Sequence, residues 1–426
     1  MKLNYKRTFF IGLAFLSISA FWQMYDNIVP LILQGTFHLN ETFTGAIMAA
    51  DNVLAVFLLP LLGTLSDKAD TKFGKRTPFI VVGTLLAVVL MMLLPIADQK
   101  ESLVLFVGSL FFLLIAMGLY RSPAVALMPD LTPKPLRSQA NAIINLMGAL
   151  GGVYSLILIS LLLKGGEKPD YTPVFLGVAA IMILAVVLLV VTIREKKLAA
   201  QVAAENLEEE TEEEQKADRT GELAPEVKRS LFMILVSIFL WFAAYNAVTT
   251  AFSRYARTVW GMEGGGFANC LMVATVAAIL SYIPIGYISA RIGRKKCIQG
   301  GLVLMLVSFF AAIFFAQYHP LINIGFALIG IGWASVSVNS LPMVVEMCSS
   351  GDVGKYTGLY YTFSMSAQIF TPILSGAFLQ YVSYRTLFPY ACLFTVAAMV
   401  TMSMVHHGDN RPELKKNVLE NFDVDD

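Results

Sequence analysis

The stretch GTLSDKADTKFGKRTP, residues 63–78, separates two long apolar runs, and a shorter counterpart, GYISARIGRKK at 286–296, does the same about 220 residues later. Each begins with a glycine that lets two helices approach closely. Each ends in a cluster of positive side chains that is costly to draw through a bilayer. A hairpin of this kind belongs on the cytoplasmic side of a membrane, and its recurrence once per half predicts a chain built from two related halves.

Composition points the same way. With 57% apolar residues, 14% charged and a mean hydropathy of +0.67, the chain is a polytopic membrane protein and not a soluble globule. The basic residues are spread over short loops and form no single stripe, so the net charge of +1 gives no sign of nucleic acid as a partner. Cys270, Cys297, Cys348 and Cys392 are far apart and read as small apolar fillers, and His38, His319, His406 and His407 form no ligand set. No metal and no cofactor is expected.

A span needs roughly 20 apolar residues, and twelve such runs are present: 8–34, 42–65, 79–97, 102–129, 138–163 and 172–193, then 230–253, 266–290, 297–317, 321–345, 356–379 and 385–406. The fold expected is therefore all-α and integral to the membrane, with residues 1–193 and 230–406 as two six-helix bundles. With both termini inside, 24 of the 31 Lys and Arg fall on the cytoplasmic side, six fall outside, and Arg121 lies within a span. That asymmetry sets the orientation. The first apolar run continues well past the small residues SISA at 17–20, so it reads as a retained helix and not a cleaved signal. Residues 194–229, rich in like charges, read as a solvated, partly helical cytoplasmic linker, and 407–426 as a cytoplasmic tail.

The sharper information is charge placed where lipid should be. Asp26, Asp51 and Arg121 lie deep in spans, at about 2.5–3.5 kcal/mol each on the mild insertion scale. They must face a polar cavity or pair with one another. In AFWQMYDNIVP, residues 20–30, Trp22 and Asp26 are four apart, as are Gln23 and Asn27, so two adjoining stripes make one polar and aromatic face. Trp22 suits the apolar face of a sugar ring; Gln23, Asp26 and Asn27 suit its hydroxyls. Pro30 cannot donate to the Asp26 carbonyl, which frees an acceptor and permits a kink. The second helix adds Asp51 beside Asn52. An Asp paired with Arg121 stays charged and carries protons poorly, so of Asp26 and Asp51 the unpaired one is the better proton carrier, and Asp26 is preferred. In the second half the cavity candidates are neutral: Trp241, Tyr245 and Asn246, then Asn339, then Ser364 and Gln368. Uncharged groups of this kind suit a neutral polyhydroxylated ligand.

At the cytoplasmic surface Asp67 with Arg76, Asp130 with Arg137, and Arg291 with Arg294 mark helix ends, and Asp130 and Glu346 occupy matching places about 216 residues apart. These seven residues are gate candidates in two parallel repeats that rock about a central site.

Both hairpins resemble the loop between helices 2 and 3 of the major facilitator superfamily and its counterpart between helices 8 and 9. A closer resemblance is to the sucrose and disaccharide proton symporters, similar to the wider glycoside, pentoside and hexuronide symporters. It rests on SDKADTKFGKRTPFI (66–80), where Asp67, Gly74, Lys75, Arg76, Pro78, Phe79 and Ile80 match that family's loop, and on PDLTPKPLRSQANAIINLMGALGG (129–152), where Asp130, Arg137, Ala140, Asn141 and Ala142 match a second motif. The likeness covers mainly helices 1 to 5. The plant pattern places an arginine two residues after the helix 4 proline, where this chain has Val125; its own Arg121 lies two before Pro123.

Residues and resemblance together imply a monomeric secondary transporter in the cell membrane, moving a neutral disaccharide or glycoside with a coupling proton by alternating access. Alternatives are a drug or metabolite exporter on the same fold, a sodium-coupled sugar symporter that uses both carboxylates near Asn52, and a transport-dead sensor, against which the retained intramembrane charges speak. No catalytic constellation and no G-x-x-x-x-G-K-[ST] loop suggests an enzyme.

Overall fold

Hydrocarbon cannot satisfy a backbone amide, so a chain this apolar must bond its backbone internally. The computed structural model describes residues 3–133, 136–166, 168–202, 224–347 and 353–409, and among them no strand occurs. The first half forms α1 (Tyr5–Gly35), α2 (Glu41–Asp67), α3 (Thr77–Gln99), α4 (Leu103–Asp130), α5 (Arg137–Leu162) and α6 (Thr172–Thr192). The second forms α7 (Pro225–Thr258), α8 (Phe267–Ile292), α9 (Arg294–Ile313), α10 (Ile322–Val345), α11 (Val353–Tyr381) and α12 (Leu387–Ser403), the last entered through a 3₁₀ turn at Tyr384–Thr386.

Among the described residues eleven of these helices are long and apolar enough to cross a membrane. The other, α11, has the length, at 29 residues. Its hydropathy is diluted by Thr362, Ser364, Ser366 and Gln368. The three hydroxyls donate to carbonyls of their own helix, at 2.8 Å for Thr362 to Gly358, 3.1 Å for Ser364 to Tyr361 and 2.6 Å for Ser366 to Thr362, which makes them tolerable in lipid. Large apolar side chains such as Leu85, Val89, Phe112, Val191, Phe310 and Phe314 are exposed, the inverse of a soluble surface. The protein is a multi-pass membrane protein. The largest departure from the expected spans is α7, which starts at Pro225 and ends at Thr258 where 230–253 was expected.

The chain divides into two compact units. The first holds Met1–Leu39, Ala50–Glu212 and Glu263–Gly265; the second holds Asn40–Ala49, Glu213–Met262 and Gly266–Asp426. In the first, α1 packs on α5 and α6, and α3 on α4 and α6; in the second, α7 packs on α11 and α12, and α9 on α10 and α12. The same four pairings recur six helices later, as an internal repeat requires. Without a hydrophobic drive between helices in lipid, close packing and interhelical hydrogen bonds hold each unit. The Tyr120 hydroxyl on α4 donates to the Ala14 carbonyl on α1 at 3.0 Å, and Ser155 on α5 to the Ala20 carbonyl at 2.6 Å. At Gly83 an added Cβ would lie 2.7 Å from the Tyr120 nitrogen, and Gly301 and Gly332 would each set one 2.6 Å from the other's carbonyl oxygen.

These contacts make a test. Gly83→Val should lower stability by about 1–3 kcal/mol, read as a lower melting temperature in detergent, whereas Gly108→Ala, with nothing within 4 Å, should leave it unchanged.

Candidate functional site

In the first unit α1, α2 and α4 carry the buried charges to one place. Trp22, Gln23 and Asp26 are half-buried on α1, and Asp51 and Asn52 half-buried on α2. Asp26 lies within electrostatic reach of Asp51, and Asp51 within reach of Arg121. The Arg121 guanidinium sits 5.8 Å from the Trp22 ring centroid, a cation–π contact that uses one face of the indole. Asn52 Nδ2 donates to Asp51 Oδ1 at 2.8 Å and fixes that carboxylate. Asn27 is fully buried and turns inward, its Nδ2 donating to the Gln23 carbonyl at 2.8 Å. Its Oδ1, the Trp22 Nε1 and the Tyr25 hydroxyl are buried without a hydrogen-bond partner. Asp26, Asp51 and Arg121 thus bring two carboxyl groups and one guanidinium together on three helices of the first unit.

The neutral candidates of the second unit divide. Tyr245, half-buried on α7, stacks on Trp333 of α10 with ring centroids 3.9 Å apart and planes within 8°. The sequence reading missed Trp333, although its place in GIGWAS, one turn and a half before Asn339, was a signal. Asn246 and Gln368 are half-buried. Trp241 is fully buried in a cluster with Ile238, Leu302, Val344 and Met402, so its ring serves packing. Ser364 and Asn339 are buried as well. Asn339 Nδ2 donates to the Ser335 carbonyl at 2.8 Å and its Oδ1 accepts from Ser289, tying α10 to α8.

At the hairpin after α2, Arg76 holds two acids at once. Arg76, 6% exposed, donates through Nε to Asp130 at 2.8 Å, through Nη2 to Asp67 and through Nη1 to Ser66. The sequence reading set Asp130 beside Arg137; the planar fork of Arg76 also reaches Asp130, and the Arg137 side chain lies outside the described residues. Burial pulls the Arg76 pKa down, but Asp130 and Asp67 outweigh it and hold the group above its ordinary value. In the second half Arg294 pairs with Glu346, while Arg291 is exposed in the last turn of α8.

A family model described as MFS/sugar transport protein matches residues 10–407. The chain belongs to the MFS/sugar transport protein family. Its members' role makes it a transporter of a small molecule and not an enzyme. Among curated proteins this sugar-transport family member is similar to Sucrose transport protein SUC3 of Arabidopsis thaliana, 25% identical over 151 residues, which are 31% of this chain and 25% of that one. It is also similar to Sucrose transport protein SUC4 of Arabidopsis thaliana, 31% identical over 113 residues, 23% of this chain and 22% of that one. The chain thus spans about a quarter of the length of these relatives. Among solved structures a mutant of the nucleoside transporter NupG superposes with a TM-score of 0.69 at 14% identity, covering 94% of this chain and 100% of that one. The peptide transporter POT in complex with sulfate gives 0.67 at 14%, covering 95% of each. At such identities the likeness shows the fold alone, that of the major facilitator superfamily.

Three charged residues of this family member escaped the sequence reading. Glu195, placed in a solvated linker, is 3% exposed, and residues 195–202 are helical, so the linker does not begin as free chain. In the second unit Arg254 Nε donates to Glu41 Oε2 at 3.0 Å, with side chains only 5% and 4% exposed, and the Tyr384 hydroxyl donates to Glu41 Oε1. Glu41 and Arg254 stand near predicted span ends, where charges pass as ordinary loop residues.

The Arg76 fork predicts that Arg76→Lys and Asp67→Asn slow transport with substrate affinity unchanged. Lysine keeps the charge but cannot hold Asp67, Asp130 and Ser66 at once. Equal maximal rates in both variants at matched expression would reduce the network to solvated helix ends.

Proposed function

We propose that the protein is a secondary active transporter that carries a neutral disaccharide or glycoside together with a proton by alternating access. The observation that carries this reading is the cluster of Asp26, Asp51, Arg121 and Trp22 within the membrane helices of a sugar-transport family member. With Arg121 balancing one carboxylate, the other binds and releases a proton as it meets each side of the membrane in turn. Asp26 takes that role and Asp51 stays with Arg121. The half-buried Trp22, Gln23 and Asn52 of the first unit offer a ring face and amides to a sugar. Stacking on an apolar ring face and hydrogen bonding to hydroxyls need no charge on the ligand, which agrees with the neutral second half. The two relatives are sucrose transport proteins, which favours a disaccharide.

In this reading both termini and the 194–229 linker lie in the cytoplasm, as the distribution of basic residues favours, and the hairpins form the cytoplasmic gate. A second reading, sodium in place of the proton, is favoured by one observation: two carboxylates in reach of each other beside the Asn52 amide supply several oxygens.

Uptake of radiolabelled sucrose, maltose and aryl glucosides into proteoliposomes, with proton and sodium gradients imposed separately, should show accumulation driven by acid outside and indifference to sodium. Asp26→Asn should abolish uphill accumulation while exchange of labelled for unlabelled sugar survives. Accumulation persisting in that variant would move the proton to Asp51. Asp51→Asn should instead weaken binding or folding, since it strips Arg121 of a neighbour. For topology, a cysteine placed at Ala217 should resist an impermeant thiol reagent in intact cells and react once the membrane is opened.

A further inference from the structure

Two acids outside the sugar site stand where each half of the chain leaves the membrane. α6 stops at Thr192, and three residues on, Glu195 reaches back to the start of α3. Its Oε1 accepts from the backbone nitrogens of Lys75 at 2.7 Å and Arg76 at 2.8 Å. Its Oε2 accepts from the Thr77 nitrogen at 2.7 Å and the Thr77 hydroxyl at 2.7 Å. The first amides of a helix lack partners within it and form the positive end of its dipole. Here the residue at the N-cap, Arg76, makes no capping bond with its side chain, and a carboxylate 119 residues away caps the helix instead.

The second half repeats the device. α12 stops at Ser403, and six residues on, Asp409 Oδ1 accepts from the Lys295 nitrogen at 2.7 Å, at the start of α9, another helix without a side-chain cap of its own. Ahead of each capped turn stands a glycine with positive φ, Gly74 at +117° and Gly293 at +95°. A Cβ on Gly74 would fall 2.3 Å from Glu195 Cδ, and one on Gly293 would fall 3.0 Å from Asp409 Oδ1. The sequences that follow the two glycines, Lys75-Arg76 and Arg294-Lys295, supply the gate arginines. In the first half the same Arg76 whose amide is held by Glu195 grips Asp67 and Asp130 with its side chain. In the second, Arg294, paired with Glu346, is the immediate neighbour of the amide held by Asp409.

We propose that Glu195 and Asp409 are positioning residues of the transport cycle, each clamping the hairpin of its own half so that the arginine beside it is held at the gate. The stretches that leave the last helix of each half, linker and tail, thereby control how well the hairpin end of the protein closes. Neither acid touches substrate. A carboxylate with four bonds fixes three consecutive backbone units, and a guanidinium extending from a fixed backbone returns to the same partners each cycle. Without the clamp the arginine must be ordered anew at every closure, so closed states lose population.

The proposal rests on the transporter reading, and its test avoids the sugar. Spin labels on the exposed Lys72 and Lys296 positions in liposomes report the share of molecules closed at the hairpin end. Glu195→Gln and Asp409→Asn should each lower that share by about threefold or more, and Glu195→Asp should restore part of the loss. Amide hydrogen exchange should quicken at Lys75 to Thr77 only in the first variant and at Lys295 only in the second. Asp70→Asn, which removes only the exposed partner of Lys196, should leave the distances unchanged. Faster exchange with unchanged distances would make these acids mere helix caps and overturn the proposal. If Glu195→Gln fails to fold, the Asp409→Asn distances decide by the same criterion. Absence of sugar uptake by the unmodified protein would sink the sugar reading while leaving the distance result intact.

Discussion

A bilayer interior offers no hydrogen bonds, and a helix satisfies only its middle; the first amides and last carbonyls are left over. Much of the architecture at the hairpin end answers that shortage. At that end α1 is capped locally by Asn4. α3 begins with arginine at its cap and so borrows Glu195 from beyond α6. That single carboxylate fixes the backbone of Arg76, and the Arg76 side chain then joins the end of α2 to the end of α4. One anion thus organises the ends of four helices, and the glycine before it is required because any larger residue would occupy the place of the carboxylate.

The two halves share packing but not charge. The same helix pairings recur, yet the first half carries Asp26, Asp51 and Arg121 in its spans and the second carries amides, hydroxyls and aromatic rings in theirs. Each intramembrane charge costs about 2.5–3.5 kcal/mol, so a second set would be retained only if it performed a second task. The stacked Tyr245 and Trp333 pair carries no such cost. It gives the second unit a stacked aromatic surface that needs no buried ion.

The helices were legible because hydropathy alone decides them in a chain with so few charges. α11 was legible by length although its hydroxyls weaken the signal. The bond between Arg76 and Asp67 was legible too, since only nine residues separate them. The bond between Arg76 and Asp130 was not, because it depends on which side chain the fold brings across, 54 residues away in the chain. Glu195 was hidden by its setting among many solvated acids; the available signal was a glycine followed by two basic residues in each half, with an acid soon after the sixth and twelfth helices. Trp241 and Asn339 sit in polar or aromatic stretches that sequence reads as lining, and only packing reveals that one serves the core and the other a bond between helices.

The Glu41 and Arg254 pair shows why buried charge need not mean rigidity. Water removed from two ions costs nearly what their attraction returns, so such a pair stands close to balance between closed and hydrated states, whereas deleting one partner costs about 3–5 kcal/mol. The Tyr384 hydroxyl adds a bond to Glu41, and Thr42 bonds Gln380 at 2.6 and 3.1 Å beside the pair. Replacing Glu41 or Arg254 alone should therefore cost more than replacing both together, since only the single change leaves an ion buried without its partner, and the melting temperature in detergent would show the difference.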